Sequence, residues 1–172
     1  MFLILIKKLI AKKRLINFKQ SHVNHVVNTE KISTIGILNS NQNQDSNQIL
    51  WKELTEMFSK EVKIQVMTYY ENPKEILNNE SSFSNKSFNI LCHITDENLN
   101  QFVKQSFDLL VNFYQKENVF LALTSQKSQA KFQVGLTTEN LNFNDLVVET
   151  SVNQPKELVV ELQKYLKLMN KI

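Results

Sequence analysis

A chain of 172 residues is long enough for one domain with a two-sided core and too short for two of ordinary size. Apolar residues at 42% and charged residues at 22% match the globular average, which speaks against both a disordered chain and a membrane-embedded body. The net charge of +3 hides an asymmetry: residues 1–20 hold six Lys or Arg (Lys7, Lys8, Lys12, Lys13, Arg14, Lys19) and no acid, so the remainder carries 14 basic and 17 acidic side chains. Attraction to phosphates must therefore act through the first twenty residues.

Residues 1–30 read as a basic apolar tail and connector ahead of a single α/β domain over 31–172. Met1 to Ile6 is apolar, Lys7-Lys8 follows, and then come Leu9-Ile10-Ala11 and Lys12-Lys13-Arg14. On a helical projection Phe2, Leu5, Ile6, Leu9 and Ile16 cluster on one side, with Lys13 intruding. The charges follow the apolar stretch, the reverse of a secretory signal, and that stretch falls far short of the ~20 residues that span a bilayer. A basic amphipathic helix at a surface is the reading that remains. Three surfaces compete for it: an anionic membrane touching Lys7, Lys8, Lys12, Lys13 and Arg14; a protein, whether the domain itself, a second copy or a partner; and RNA. Phe2 to Ile6 has no use on nucleic acid, which ranks that partner last.

After a polar connector at His22 to Lys31, Ile32 to Leu38 is β-branched and apolar, as a buried strand should be. Asn39 to Asn47 is polar and turn-forming, and Asp45 with Gln48 resembles a capping pair before Leu50, Leu54, Met57 and Phe58 at helical spacing. Val62 to Tyr69 alternates as a strand does, and Glu71 to Ser87 reads as a weak helix and loop. Phe88 to Ile94 is the expected third strand, followed by a short helix from Asp96 to Gln105. Phe107 to Phe113, the most hydrophobic run of the body, predicts a central parallel strand. Val119, Phe120 and Leu123 form a helical stripe, Lys131 to Thr137 a fifth strand and Asp145 to Thr150 a sixth. In the last helix Pro155 fits the first turn, and Leu158, Leu162, Tyr165, Leu166 and Met169 share a face. The alternation predicts an α/β fold: a mostly parallel Rossmann-like sheet of five to six strands with helices on both faces.

In such a sheet ligands bind beyond the carboxyl ends of the strands. After the first strand stand Asn39, Ser40 and Asn41, with neither Gly-x-Gly-x-x-Gly nor a phosphate loop; two glycines in the whole chain also weigh against a nucleotide cradle, and no cofactor is expected. After the third come His93, Thr95, Asp96 and Glu97, which read as an acid/base set or, more simply, as a helix cap at Asp96. After the fourth comes Asn112-Phe113-Tyr114-Gln115-Lys116-Glu117-Asn118, a polar and aromatic cluster in which Asn112 and Tyr114 are the strongest ligand candidates. Gly135 suggests a close backbone approach. His22 and His25 would need further ligands to hold a metal, and no metal site is expected. Cys92 is the sole cysteine, which excludes an intrachain disulfide and a cysteine-based zinc site and fits a reducing compartment; it reads as core.

The tract Phe107 to Tyr114, then Lys116-Glu117-Asn118, Ser128 to Gly135 and Asn144-Asp145-Leu146, resembles a family of short bacterial domains of unknown function, number 6913. The likeness includes the basic start, the Ile32 to Leu38 strand and the Tyr165 to Ile172 ending; it implies an α/β fold and supplies no activity. Phe107 to Gly135 is also similar to a strand, helix and strand of bacterial heptosyltransferases, but the Gly-Asp loop and second domain of that family are missing here. No motif carries a reaction. The reading is a non-catalytic interaction or accessory module of the cytoplasm, extended to the inner membrane surface through residues 1–20. The alternatives are a nucleotide or sugar domain with Asn39, Asp96, Asn112 and Tyr114 at the strand tips, a degenerate glycosyltransferase-like half, and an RNA or ribosome contact.

Overall fold

The computed structural model describes residues 2–17, 31–58, 62–76, 81–114, 118–136 and 143–172; the connector with His22 and His25, and residues 115–117, lie outside the described residues. The apolar run after Ile32 forms β1 (Thr34–Ser40), whose Ile35 and Ile37 bury on one face while Leu38 buries on the other. Around it stand β2 (Lys63–Tyr69), β3 (Ser82–Phe83), β4 (Leu109–Phe113), β5 (Gln133–Leu136) and β6 (Leu146–Val148). Every pairing is parallel and the order is β3-β2-β1-β4-β5-β6, so the most hydrophobic run of the body does lie at the centre, beside β1.

Helices cover both faces. α2 (Gln44–Phe58) and α5 (Pro155–Leu168) pack on the face of Ile35, Ile37, Val111 and Phe113, and α3 (Glu97–Lys104) and α4 (Val119–Lys127) on the face of Leu38 and Leu110. Tyr165, expected on the inner face of α5, is 43% exposed, and Leu158, Leu162 and Leu166 make the contact instead. α1 (Phe2–Asn17) packs against α4, with Ala11 fully buried and Ile10 and Leu15 against the same core.

The expected third strand is a correction. Phe88 to Ile94 is a tight loop closed by one antiparallel bridge between its two end residues. Asn89 N donates to His93 O, His93 N donates to Asn89 Oδ1, and Cys92 adopts a left-handed φ of 60° that no strand residue takes. Ile90 and Leu91 point outward, so the run is apolar without being continuously buried. The strand that occupies the edge is the two-residue Ser82–Phe83, too short for alternation to announce.

At the amino ends of the strands Asp108 ties three of them together. Its carboxylate accepts from the main-chain and hydroxyl groups of Ser33 and Thr34 at 2.8–3.0 Å and from Lys131 Nζ at 2.8 Å.

Candidate functional site

The strand order reverses between β1 and β4, where a doubly wound sheet opens a crevice at its carboxyl edge. β1 runs into α2 on one face and β4 into α4 on the other, so the two connections diverge. The segment after β1 divides the opening. Ser40, Gln42 and Asn43 face a cleft of about 930 Å³ on the α4 side, while Asn39, Asn41 and Gln44 face a cavity of about 340 Å³ on the α2 side.

The larger cleft is completed by Tyr114 and Asn118 after β4, by Glu71 after β2 and by Lys8 and Lys12 from α1. Asn118 caps α4: its Oδ1 accepts from Phe120 N at 3.0 Å and Leu121 N at 3.3 Å. Its Nδ2 donates to Glu71 Oε2 at 3.3 Å, and Glu71 Oε1 lies 3.5 Å from Lys8 Nζ. The Phe120 and Leu121 amides of α4 are thus already satisfied and a paired carboxylate already occupies that end. The Tyr69 hydroxyl is buried beside Asn118 and Glu71; burial pushes its pKa up, only partly offset by Asn118, so it stays a neutral phenol.

The four strand-tip candidates do not converge. Asn39, 3% exposed, lines the smaller cavity. Asn112 is enclosed in a polar network: its Nδ2 donates to Asn144 Oδ1 at 2.7 Å and Gln133 Oε1 at 3.3 Å, and its Oδ1 accepts from Ser125 Oγ at 2.7 Å. Tyr114 joins the network through a 2.7 Å hydroxyl contact with Ser125, and burial raises its pKa. With both amide hydrogens and one oxygen lone pair engaged and the side chain buried, this carboxamide is closed to a ligand. Asp96 caps α3, accepting from Leu99 N at 3.0 Å and from Ser87 Oγ at 3.1 Å, beside a shallow surface pocket of its own. His93 is exposed, and Arg14 Nη2 lies 2.7 Å from its Nε2, which makes Nε2 the acceptor since Arg can only donate. Asn47 and Trp51, which line the smaller cavity with Asn39, fall in or just after a stretch that reads as turn and helix; their spacing of four on α2 is the one signal that pairs them.

The tail residues divide by the side of α1 on which they fall. Lys7 turns inward and donates to the carbonyls of Asn85 and Phe88, Lys8 meets Glu71 and Arg14 meets His93. Lys12 and Lys13 are exposed. So are Leu5, Leu9 and Ile16, at 54%, 68% and 79%, spaced four and seven apart on the side opposite Ala11. Cys92 sits beneath the helix, its Sγ 3.2 Å from the Lys7 carbonyl; burial raises the thiol pKa against the opposing charges of Arg14 and Lys7.

Among the described residues no helix is long and apolar enough to cross a membrane, and no three His, Cys, Asp or Glu are grouped to hold a metal ion. No curated protein matches the chain. A family model does match, over residues 5–169, from the first turn of α1 to the end of α5, a span that takes in both the docked helix and the six-stranded sheet. The chain belongs to that family, a family of unknown function (DUF6913).

Proposed function

We propose that the protein is a non-catalytic accessory module that rests on an anionic membrane surface through the outward side of α1. The observation that carries this reading is the ridge of Leu5, Leu9 and Ile16, exposed while the opposite side of the same helix is fixed to the body, with Lys12 and Lys13 exposed beside it. An apolar ridge bordered by lysines suits the boundary between lipid headgroups and acyl chains, where both parts gain. The mildly acidic body then faces away from the lipid, and the lone buried cysteine suits a reducing compartment such as the cytoplasm.

Flotation of the full chain with vesicles tests this. Binding is expected to vesicles containing phosphatidylglycerol and to be much weaker to pure phosphatidylcholine. Lys12→Gln with Lys13→Gln should cost roughly thirty-fold, at about 1 kcal/mol per basic residue near the surface. Leu5→Gln with Leu9→Gln and Ile16→Gln should abolish binding. Equal binding to both vesicle types, or a ridge variant that still floats, would remove the reading; a ridge variant that instead converts a dimer to a monomer would assign the ridge to a second copy.

A second reading, small-molecule binding at the strand tips, is supported by the two openings at the reversal of strand order. Under it the chain should be stabilised against heat by some small metabolite, and a broad metabolite screen that shifts the melting temperature nowhere would count against it.

A further inference from the structure

The lysines of α1 that line the larger cleft also border the apolar ridge. Lys8 follows Leu5 by three residues, and Lys12 stands three after Leu9 and four before Ile16, so each lies beside the ridge on the helix surface. Lys13, exposed as well, falls on the far side of the ridge by the helical repeat. One row of two lysines therefore separates Leu5, Leu9 and Ile16 from a cleft of about 930 Å³, near the upper end of the roughly 300–1,000 Å³ of ligand pockets.

The charge of that row is only partly answered within the chain. Lys8 meets Glu71 at 3.5 Å, a pair whose side chains are 43% and 49% exposed and which water weakens. Lys12 has neither an ion pair nor a hydrogen bond among the described residues. Two lysines against one glutamate leave the described lining with one positive charge in excess, beside the ridge. Elsewhere the polar lining is uncharged: Gln42 and Asn43 after β1 and Asn153 just before α5 offer carboxamides, which both donate and accept.

A molecule that fits both surfaces has an apolar part for the ridge, an anionic group for the lysine row and a small polar head for the carboxamides. A phospholipid presents chains, phosphate and head in that order. At the first turn of α4 a phosphate would meet the Asn118 cap and the Glu71 carboxylate, so the lysine row is the place for it. We infer that the cleft receives a phosphate ester with a small hydroxyl-bearing head, presented by an anionic lipid whose chains lie on the ridge. Lys12, aided by Lys8, holds the phosphate, and Gln42, Asn43 and Asn153 hold the head. The inference rests on the membrane reading and adds to it a defined lipid site in place of diffuse attraction.

The test follows the amide resonances of the isotope-labelled full chain during titration with dihexanoyl phosphatidylglycerol, kept below its micelle concentration. Dihexanoyl phosphatidylcholine and glycerol 3-phosphate form separate arms. The phosphatidylglycerol is expected to saturate one site and to shift Ser40, Gln42, Asn43 and Asn153 together with α1, while the other two bind at least roughly tenfold more weakly, one lacking the hydroxyls and the other the chains. Lys12→Gln should weaken that binding roughly tenfold, the scale of a hydrogen bond to a charged group, and Lys13→Gln should leave it unchanged. Asn43→Ala with Asn153→Ala removes no charge and should also cost roughly tenfold, which attraction to a basic surface cannot reproduce. Shifts confined to α1, or a carboxamide variant that binds as the parent does, would overturn the inference while vesicle flotation, and with it the membrane reading, still stood. Equal affinity for phosphatidylcholine or for glycerol 3-phosphate would overturn it too, the latter by making a free phosphate ester the ligand. A full chain that fails to float with phosphatidylglycerol vesicles would remove the membrane reading and this site together.

Discussion

Asp108 sits just before β4, and its carboxylate holds Ser33, Thr34 and Lys131 at the starts of β1 and β5. Burial by itself would push its pKa up, but the lysine and the Ser33 and Thr34 donors outweigh that and hold it well below the usual carboxylate range. Because the folded value is depressed, the carboxylate contributes its full stability above the unfolded value of about 4 and loses it as pH falls below that toward the folded one. Melting temperature against pH should therefore drop as acid is added below about pH 5. Asp108→Asn should lie lower at neutral pH by about 2 kcal/mol, the scale of lost hydrogen bonds to a charged group, and should flatten the acid limb. Parallel curves for the two proteins would contradict this. The two glycines are set by neighbours at the same scale: a Cβ at Gly36 would stand 2.9 Å from the Phe107 ring, and one at Gly135 would meet the Asn144 side chain. The close approach at Gly135 is legible in the sequence as a glycine inside a strand, while the identity of Asn144 as its neighbour is not, since the fold alone brings residues 135 and 144 together.

At the scale of elements, α4 is the instructive case. Val119 to Ser125 is buried at every position, whereas the sequence shows a stripe of three apolar residues against the sheet. A helix that buries all round must be covered on its outer side as well, and here α3 and α1 cover it. The apolar residues of α4 outside the stripe, Leu121 and Ala122, were the available sign that another helix docks there. The failed third strand has the opposite cause: a β-branched apolar composition was outvoted by the local bonds of Asn89, a choice that composition does not register. Docking of α1 has its own reporter, because Cys92 lies under it. The thiol should react slowly with a thiol reagent at neutral pH, and Ala11→Glu, which puts a charge in a fully buried contact, should speed the reaction by roughly tenfold or more through local opening. Equal rates would mean that the helix does not shield the thiol.

For the whole molecule, the alternation of strands and helices made the parallel sheet legible, and the rule for open sheets pointed to its carboxyl edge. Of the residues singled out there, Asn39 opens onto a cavity, while Asn112 and Tyr114 are drawn into a network with Ser125, Gln133 and Asn144. Those partners come from three other segments, so no local pattern could show that the pair is already satisfied. The charge asymmetry was legible throughout, and the structure adds which lysines remain turned to solvent: Lys12 and Lys13 beside Leu5, Leu9 and Ile16. The membrane reading depends on that arrangement. Its most direct test is Leu9→Cys carrying a polarity-sensitive fluorophore, a single label because Cys92 is buried. On titration with phosphatidylglycerol vesicles the emission should shift to the blue at constant protein concentration, with no shift on pure phosphatidylcholine. An emission that ignores lipid, or that changes with protein concentration alone, would contradict the account.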